Sequence, residues 1–238
     1  MVILVTGANR GLGIELVKEG LKRGHTVIAT YRNPGDDLPR LKEEYQDRLV
    51  MQVMDVEDFA SISSAYDSLC GKFNAIDGVV NNAAVLYETK AFKGDPIVDM
   101  DLDMFHKTFE INIHGPVMVL KKFMPLIYKG SDRCIVNIST EGAKLKTEGS
   151  HYIAYSASKI ALNLYTQKIR NYLSAREDTK DIRVYMIHPG RMFTVMGVEN
   201  AQIQPGEPAF GIWDIIEKKK KIDLDIPFIN YKAEQMPL

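Results

Sequence analysis

The sequence predicts an α/β fold, a doubly wound and mostly parallel sheet of seven strands with helices on both faces. Three observations carry this expectation. Short β-branched runs recur along the chain, amphipathic helical patterns separate them, and a glycine-rich turn follows the first run at once. Continuous apolar strands alternating with helices belong to a parallel sheet covered on both sides, because a sheet with one wet face would alternate apolar and polar residues.

Taken in order, the first strand is Val2 to Val5. The helix after it places Leu12, Leu16, Val17 and Leu21 on one stripe that can pack against a sheet. Thr26 to Thr30 is the second strand, closed by the turn Asn33-Pro34-Gly35, and Val50 to Met54 is the third. Gly78 to Val80 forms the fourth. Beyond it Asp99, Asp101 and Asp103 alternate like the start of a calcium loop, but no Gly or distal Glu follows, so they supply negative charge to a helix N-terminus. Cys134 to Ile138 is the fifth strand, a helix spans Tyr155 to Tyr172, and Val184 to Ile187 is the sixth. The stretch from Gly190 to Pro208, with a turn at Gln204-Pro205-Gly206, exceeds the usual connection length and suits a lid in which Met192, Phe193 and Met196 close over a ligand. A helix with Trp213 and Ile216 ends in the solvated lysines Lys218 to Lys221, and Phe228 to Tyr231 is the last strand. With no repeat or low-complexity linker, residues 1–238 form one domain, including a substrate loop over about 190–213.

Composition narrows the function. In 238 residues, 45% hydrophobic, the 30 basic and 31 acidic side chains nearly cancel, which leaves no field to gather nucleic acid. No apolar stretch reaches the ~18 residues needed to span a bilayer, and no secretory leader precedes Val2, so a cytoplasmic protein free of membrane is expected. Cys70 and Cys134 make neither a disulfide framework nor a zinc site, the five histidines lack ligand spacing, and no metal is expected. A small-molecule site is the expectation that remains.

The turn reads Thr6-Gly7-Ala8-Asn9-Arg10-Gly11-Leu12-Gly13, with the spacing T-G-x-x-x-G-x-G. Its glycines let the backbone approach a pyrophosphate, while the free N–H groups and dipole at the helix start favour negative charge. About twenty residues on, a carboxylate would bind the ribose of NAD, whereas a basic residue suits the 2′-phosphate of NADP. Arg32 stands there, Arg10 faces the same region, and no acid occurs before Asp36, so NADP(H) is preferred over NAD(H).

Tyr155 and Lys159 are four residues apart on one helix face. A hydride-transfer enzyme must also move a proton to or from the substrate oxygen, and Lys159, together with the positive nicotinamide of an oxidised cofactor, would favour the phenolate that this needs. The pair gains weight from its company: Asn81-Asn82-Ala83-Ala84 after the fourth strand, Asn112 in a following helix distorted by Gly115-Pro116, and Ile135-Val136-Asn137-Ile138-Ser139-Thr140 ending the fifth.

These motifs, together and in this order, resemble the short-chain dehydrogenase/reductase family in its compact single-domain branch, over essentially the whole chain. The resemblance implies a Rossmann fold, carbonyl–alcohol interconversion by hydride transfer, and a tetrad of Asn112, a hydroxyl at Ser139 or Thr140, Tyr155 and Lys159. It implies cofactor contacts from Gly7, Asn9, Arg10, Gly11, Leu12, Gly13, Arg32, from the Asp55-Val56 pair at the adenine, and from Asn82, Ala83 and Ala84. Tyr155 and Lys159 would add contacts of their own. So would Pro189, Gly190, Met192 and Thr194, in Pro189-Gly190-Arg191-Met192-Phe193-Thr194-Val195-Met196, which follows the family's P-G-x-φ-x-T-x-M.

Two positions depart from the pattern. Ile138-Ser139-Thr140 replaces I-S-S, so Thr140 stands where the family's hydroxyl usually lies, with Ser139 beside it. Ala84 replaces the glycine of N-N-A-G, a change a negative φ would tolerate. In the family pattern Asn112 holds a water that connects Lys159 to solvent, and the helices carrying Asn112 and Tyr155 pair into a homodimer or homotetramer, for which Leu162, Leu164, Tyr165 and Ile169 leave apolar surface. The pocket wall is expected from Val85 to Phe92, Gly142 to Ile153 and Arg191 to Trp213, mixing apolar residues with Lys144, Lys146, Glu148 and His151. The alternatives are an NAD-dependent alcohol dehydrogenase of the same fold and a protein that senses NADP without turnover.

Overall fold

A computed structural model describes residues 1–88, 94–146, 151–196 and 201–238. Seven strands, β1 (Val2–Val5), β2 (Thr26–Tyr31), β3 (Leu49–Val53), β4 (Gly78–Asn81), β5 (Cys134–Ile138), β6 (Arg183–His188) and β7 (Phe228–Asn230), form one sheet in the order β3-β2-β1-β4-β5-β6-β7. Every pairing between these strands is parallel, so the expected mostly parallel sheet is wholly so. The order reverses between β1 and β4, and the crevice at such a point is where an open α/β sheet binds ligands.

The connecting helices are α1 (Gly11–Lys22), α2 (Asp37–Tyr45), α3 (Phe59–Cys70), α4 (Leu102–Phe109), α5 (Gly115–Ile127), α6 (Ile153–Ser174) and α7 (Gly206–Ile216). The two-residue period of a strand divides the core between the faces of the sheet. Along β1, Ile3 and Val5 join Val27, Val136 and Ile187 beneath α1, α2 and α7, whereas Leu4 joins Ile28, Val79 and Ile135 beneath α3 and α5. Both faces are therefore apolar, which is why the strands read as unbroken hydrophobic runs. On the first face Trp213 donates from Nε1 to the Leu16 carbonyl at 2.8 Å, and a Cβ on Gly20 would lie 2.2 Å from its ring, so α1 and α7 meet this closely only at a glycine.

Several local expectations are refined. Asp101 caps α4 by accepting from the Met104 N–H, the role proposed for the aspartate series. Between α4 and α5 the residues Glu110–His114 wind as a π-turn, which accounts for the distortion anticipated at Gly115-Pro116. Lys218 and Lys219 are exposed just past α7 and pair with Asp132, Asp214 and Glu217. Leu162 is buried and Tyr165 and Ile169 pack on the core, so of the four residues suggested for pairing only Leu164 is freely exposed, with Tyr172 near it. No helix among the described residues is long and apolar enough to cross a membrane.

Candidate active site

A cleft of about 1200 Å³ runs across the carboxyl ends of the strands. All the sequence-predicted site residues line it except Gly13 and Asn112. At its left end the turn after β1 brings Gly7 and Gly11 to φ of 62° and 56°, the left-handed conformation in which glycine costs least. Gly13 works from behind: a Cβ there would stand 2.1 Å from the Gly7 carbonyl oxygen. Asn82 completes this cradle by donating from Nδ2 to the carbonyls of Thr6 and Gly7, while Thr6 Oγ1 accepts from the N–H groups of Asn82 and Ala83. Ala84 has no positive φ, so its methyl is accommodated as the departure from N-N-A-G required.

The donors at the start of α1 suit an anion. Unlike α3 and α4, which are capped by Asp58 and Asp101, α1 has no side-chain cap and no acidic residue in its first turn. Arg10 and Arg32 line the same end of the cleft, and Arg32 is 62% exposed with Asp55 3.9 Å away. Asp37 turns to Lys18 instead. These residues fit a nicotinamide dinucleotide: amides for its pyrophosphate, guanidinium groups for a phosphate on the ribose, and Asp55-Val56 on the wall beside them.

At the right end the ends of β4 and β5 meet α6. Thr140 lines the cleft with Tyr155, and its hydroxyl lies near enough to the phenol to lower its pKa. Ser139 lines the cleft as well, but its hydroxyl is turned to Asn163 Oδ1 at 2.7 Å. Lys159 is buried and donates from Nζ to the Ile138 carbonyl at 2.9 Å, with the Tyr155 ring centroid 5.8 Å from its nitrogen. Burial pulls its ammonium down to about 8 and pushes the phenol up to about 12, against the lowering influence of Thr140. Desolvation of the phenol here outweighs an ammonium whose hydrogen bond goes to a carbonyl. A phenol raised in this way keeps its proton at neutral pH, as a proton donor must.

Asn112 lies behind the cleft wall. Its Oδ1 accepts from the Val85 N–H at 2.8 Å and its Nδ2 donates to the Val85 carbonyl and to Ser158 Oγ, so its side chain is not bonded to Lys159. Phe193 faces a shallow hollow with Ile14 and Pro205, whereas Met192 and Met196 line the cleft. The expected pocket wall is present at Val85, Leu86, Lys144, Lys146 and His151, while residues 89–92, 147–150 (with Glu148) and 197–200 of it lie outside the described residues. Sequence reasoning singled out none of four groups: Glu88, which falls within the expected wall stretch Val85 to Phe92, Ser158, Asn163 and His188. Only Ser158, next to Lys159, stood within a motif. His188 ends β6 in the cleft wall with its buried Nδ1 unpartnered among the described residues, and burial lowers its pKa.

A family model described as short chain dehydrogenase matches residues 1–204. L-xylulose reductase of Caenorhabditis elegans is 32% identical over 224 residues, covering 92% of this chain and 78% of that protein. Estradiol 17-beta-dehydrogenase 2 of Rattus norvegicus is 30% identical over 221 residues, 91% of this chain, which spans only 52% of that relative's length. Among solved structures, the NADPH-bound carbonyl reductase from chicken fatty liver superposes with a TM-score of 0.82 at 25% identity, covering 100% of this chain and 98% of that one.

Proposed function

The chain belongs to the short-chain dehydrogenase family, an oxidoreductase family, and from that premise we propose that it is an NADP(H)-dependent enzyme interconverting a carbonyl and an alcohol. One observation carries the reading: Tyr155, beside Thr140 and buried Lys159, opens on the same cleft as the glycine-rich turn. When bound, the cofactor supplies the hydride. Tyr155 gives its proton to the substrate oxygen, Thr140 orients that oxygen, and Lys159 sets the positive potential that stabilises charge developing on the phenol. Asn112 braces the loop at Val85 with its side chain and completes the proton relay by holding the water that links Lys159 to solvent. Arg32 and Arg10, with Asp37 occupied by Lys18, support NADP over NAD.

Residues 1–238 act as one domain whose substrate wall includes Arg191, Met192 and Thr194 to Met196, whereas Ala209, Ile212 and Trp213 of the expected loop are buried in the core against α1. Exposed Leu164 and Tyr172 on α6 support pairing into a homodimer or homotetramer.

The test follows NADPH and NADH oxidation against aldehydes, ketones and quinones. Turnover should prefer NADPH, collapse in Tyr155→Phe with NADPH binding retained, and shift towards NADH in Arg32→Glu. Tight NADPH binding without turnover on the panel would favour the sensing protein, and equal use of NADH would remove the assignment to Arg32.

A further inference from the structure

The backbone of Tyr155 is held at its N–H from outside its own helix, and at its carbonyl by Ser158 of the same helix, which is tied in turn to Asn112. Glu88, in the stretch after β4, accepts from the Ala154 N–H with Oε1 at 2.9 Å and from the Tyr155 N–H with Oε2 at 2.8 Å. On the other side, the Ser158 hydroxyl donates to the Tyr155 carbonyl at 2.7 Å and accepts from Asn112 Nδ2, whose remaining bonds clamp Val85. Val85 and Glu88 are three residues apart in one stretch, and that stretch begins with the cleft-lining Asn82, Ala83 and Ala84. The residue ahead of α6, Tyr152, takes a left-handed φ of 61°, so the chain enters the helix abruptly at the point where the carboxylate sits.

We propose that Glu88 is a positioning residue for Tyr155, fixing the first turn of α6 and offsetting the positive end of the helix beneath the phenol. The inference rests on the reading of Tyr155 as the acid. Its physics is direct. The first-turn N–H groups of a helix carry partial positive charge that favours an anion nearby, and here the nearest group able to become one is the phenol itself. A carboxylate on those N–H groups cancels that pull and keeps the proton on Tyr155. The other groups around the phenol are Thr140 from the end of β5 and Lys159 from α6, with His188, Glu141 and Arg191 farther along the cleft wall. Glu141 and Arg191 pair with each other, so their charges largely cancel.

Two variants test this. Glu88→Gln keeps the shape and one acceptor but removes the charge, and Glu88→Ala removes both. The titration of Tyr155 is read as the phenolate absorbance difference between a protein and its Tyr155→Phe counterpart, without cofactor or substrate. In Glu88→Gln its midpoint should fall by about half a pH unit. Glu88→Ala should lose kcat on the order of tenfold with KM for NADPH unchanged. Loss of thermal stability alone, with titration and kcat as in the wild type, would reduce Glu88 to an ordinary helix cap and overturn the proposal. Because the titration needs no turnover, it decides the role of Glu88 even if Tyr155→Phe shows the phenol to be dispensable for the reaction.

Discussion

Replacing Lys159 by methionine should make the protein more stable at neutral pH while abolishing its chemistry. Lys159 is 2% exposed and forms one hydrogen bond, to the Ile138 carbonyl. The depression of its ammonium from 10.5 to about 8 means that holding the proton in the folded state costs about 3 kcal/mol at pH 7. Methionine has nearly the same length and volume and carries no charge, but it orphans the Ile138 carbonyl, a loss of about 1 kcal/mol. The variant should therefore gain about 2 kcal/mol at pH 7, or roughly 4 to 8 °C in Tm for a chain of this size.

The pH dependence identifies the cause. Between about 8 and 10.5 the unfolded chain still binds a proton that the folded lysine has released, so wild-type stability rises with pH across this window. At pH 10 the remaining penalty is about 1 kcal/mol, and the two proteins should be nearly equal. Urea unfolding of both at pH 7 and pH 10 measures this. A variant no more stable than wild type at pH 7, or a gap of the same size at both pH values, would show that burial of the ammonium is not the dominant cost.

The two adjacent hydroxyls are separated by Thr140→Val, an isosteric loss of the hydroxyl that should lower kcat by about 10² to 10³. Ser139→Ala should cost far less turnover and about 1 kcal/mol of stability, through its bond to Asn163; steady-state kinetics giving the reverse order would make Ser139 the substrate-facing group. Gly13→Ala places a methyl 2.1 Å from the Gly7 oxygen and 2.7 Å from Asn82 Nδ2, both parts of the cradle. Overpacking of this kind costs about 1 to 3 kcal/mol, so thermal unfolding should shift down by several degrees and NADPH affinity should fall with it; an unchanged Tm would mean that the turn yields without strain.

The fold was legible because its strands are buried on both faces. Each announces itself as a β-branched run, and the observed strands differ from the expected ones by a residue or two at their ends, where pairing with neighbours rather than composition sets the limit. The residues lining the cleft were legible through motifs whose spacing is local, as at Gly7, Gly11, Tyr155 and Lys159. What escaped was set by contacts distant in sequence. Nothing in the stretch after Ala84 marks Glu88, because its partners lie 66 and 67 residues away. The Ser139-Thr140 pair could not be divided by reading alone, since the choice depends on Asn163 coming within reach of one hydroxyl and Tyr155 of the other. The direction of the Tyr155 shift follows from burial, a property of the folded cleft.

Departures from regular packing gather on one side of the molecule. Around β1, β2 and β3 the helices are apolar where they meet the sheet. Between β4, β5 and α6 a buried polar column runs instead from Asn81 Nδ2 to Asn137 Oδ1, from Asn137 Nδ2 to Thr166, and from Thr166 to the Leu162 carbonyl. Beside it stand the Ser139–Asn163 and Lys159–Ile138 bonds, and Asn81 Oδ1 is left unpartnered among the described residues. Each such bond contributes only about 1 kcal/mol net, and Lys159 subtracts more than its bond returns. Stability therefore does not explain the column, whereas geometry does. An apolar seam would let α6 rotate or slide by fractions of a turn at little cost, but directional bonds from β5 and Ser139 at its end to Lys159, Asn163 and Thr166 fix its rotation. That rotation is what turns Tyr155 and Lys159 into the cleft, so the polar column trades stability for the angle at which the proposed proton donor faces it.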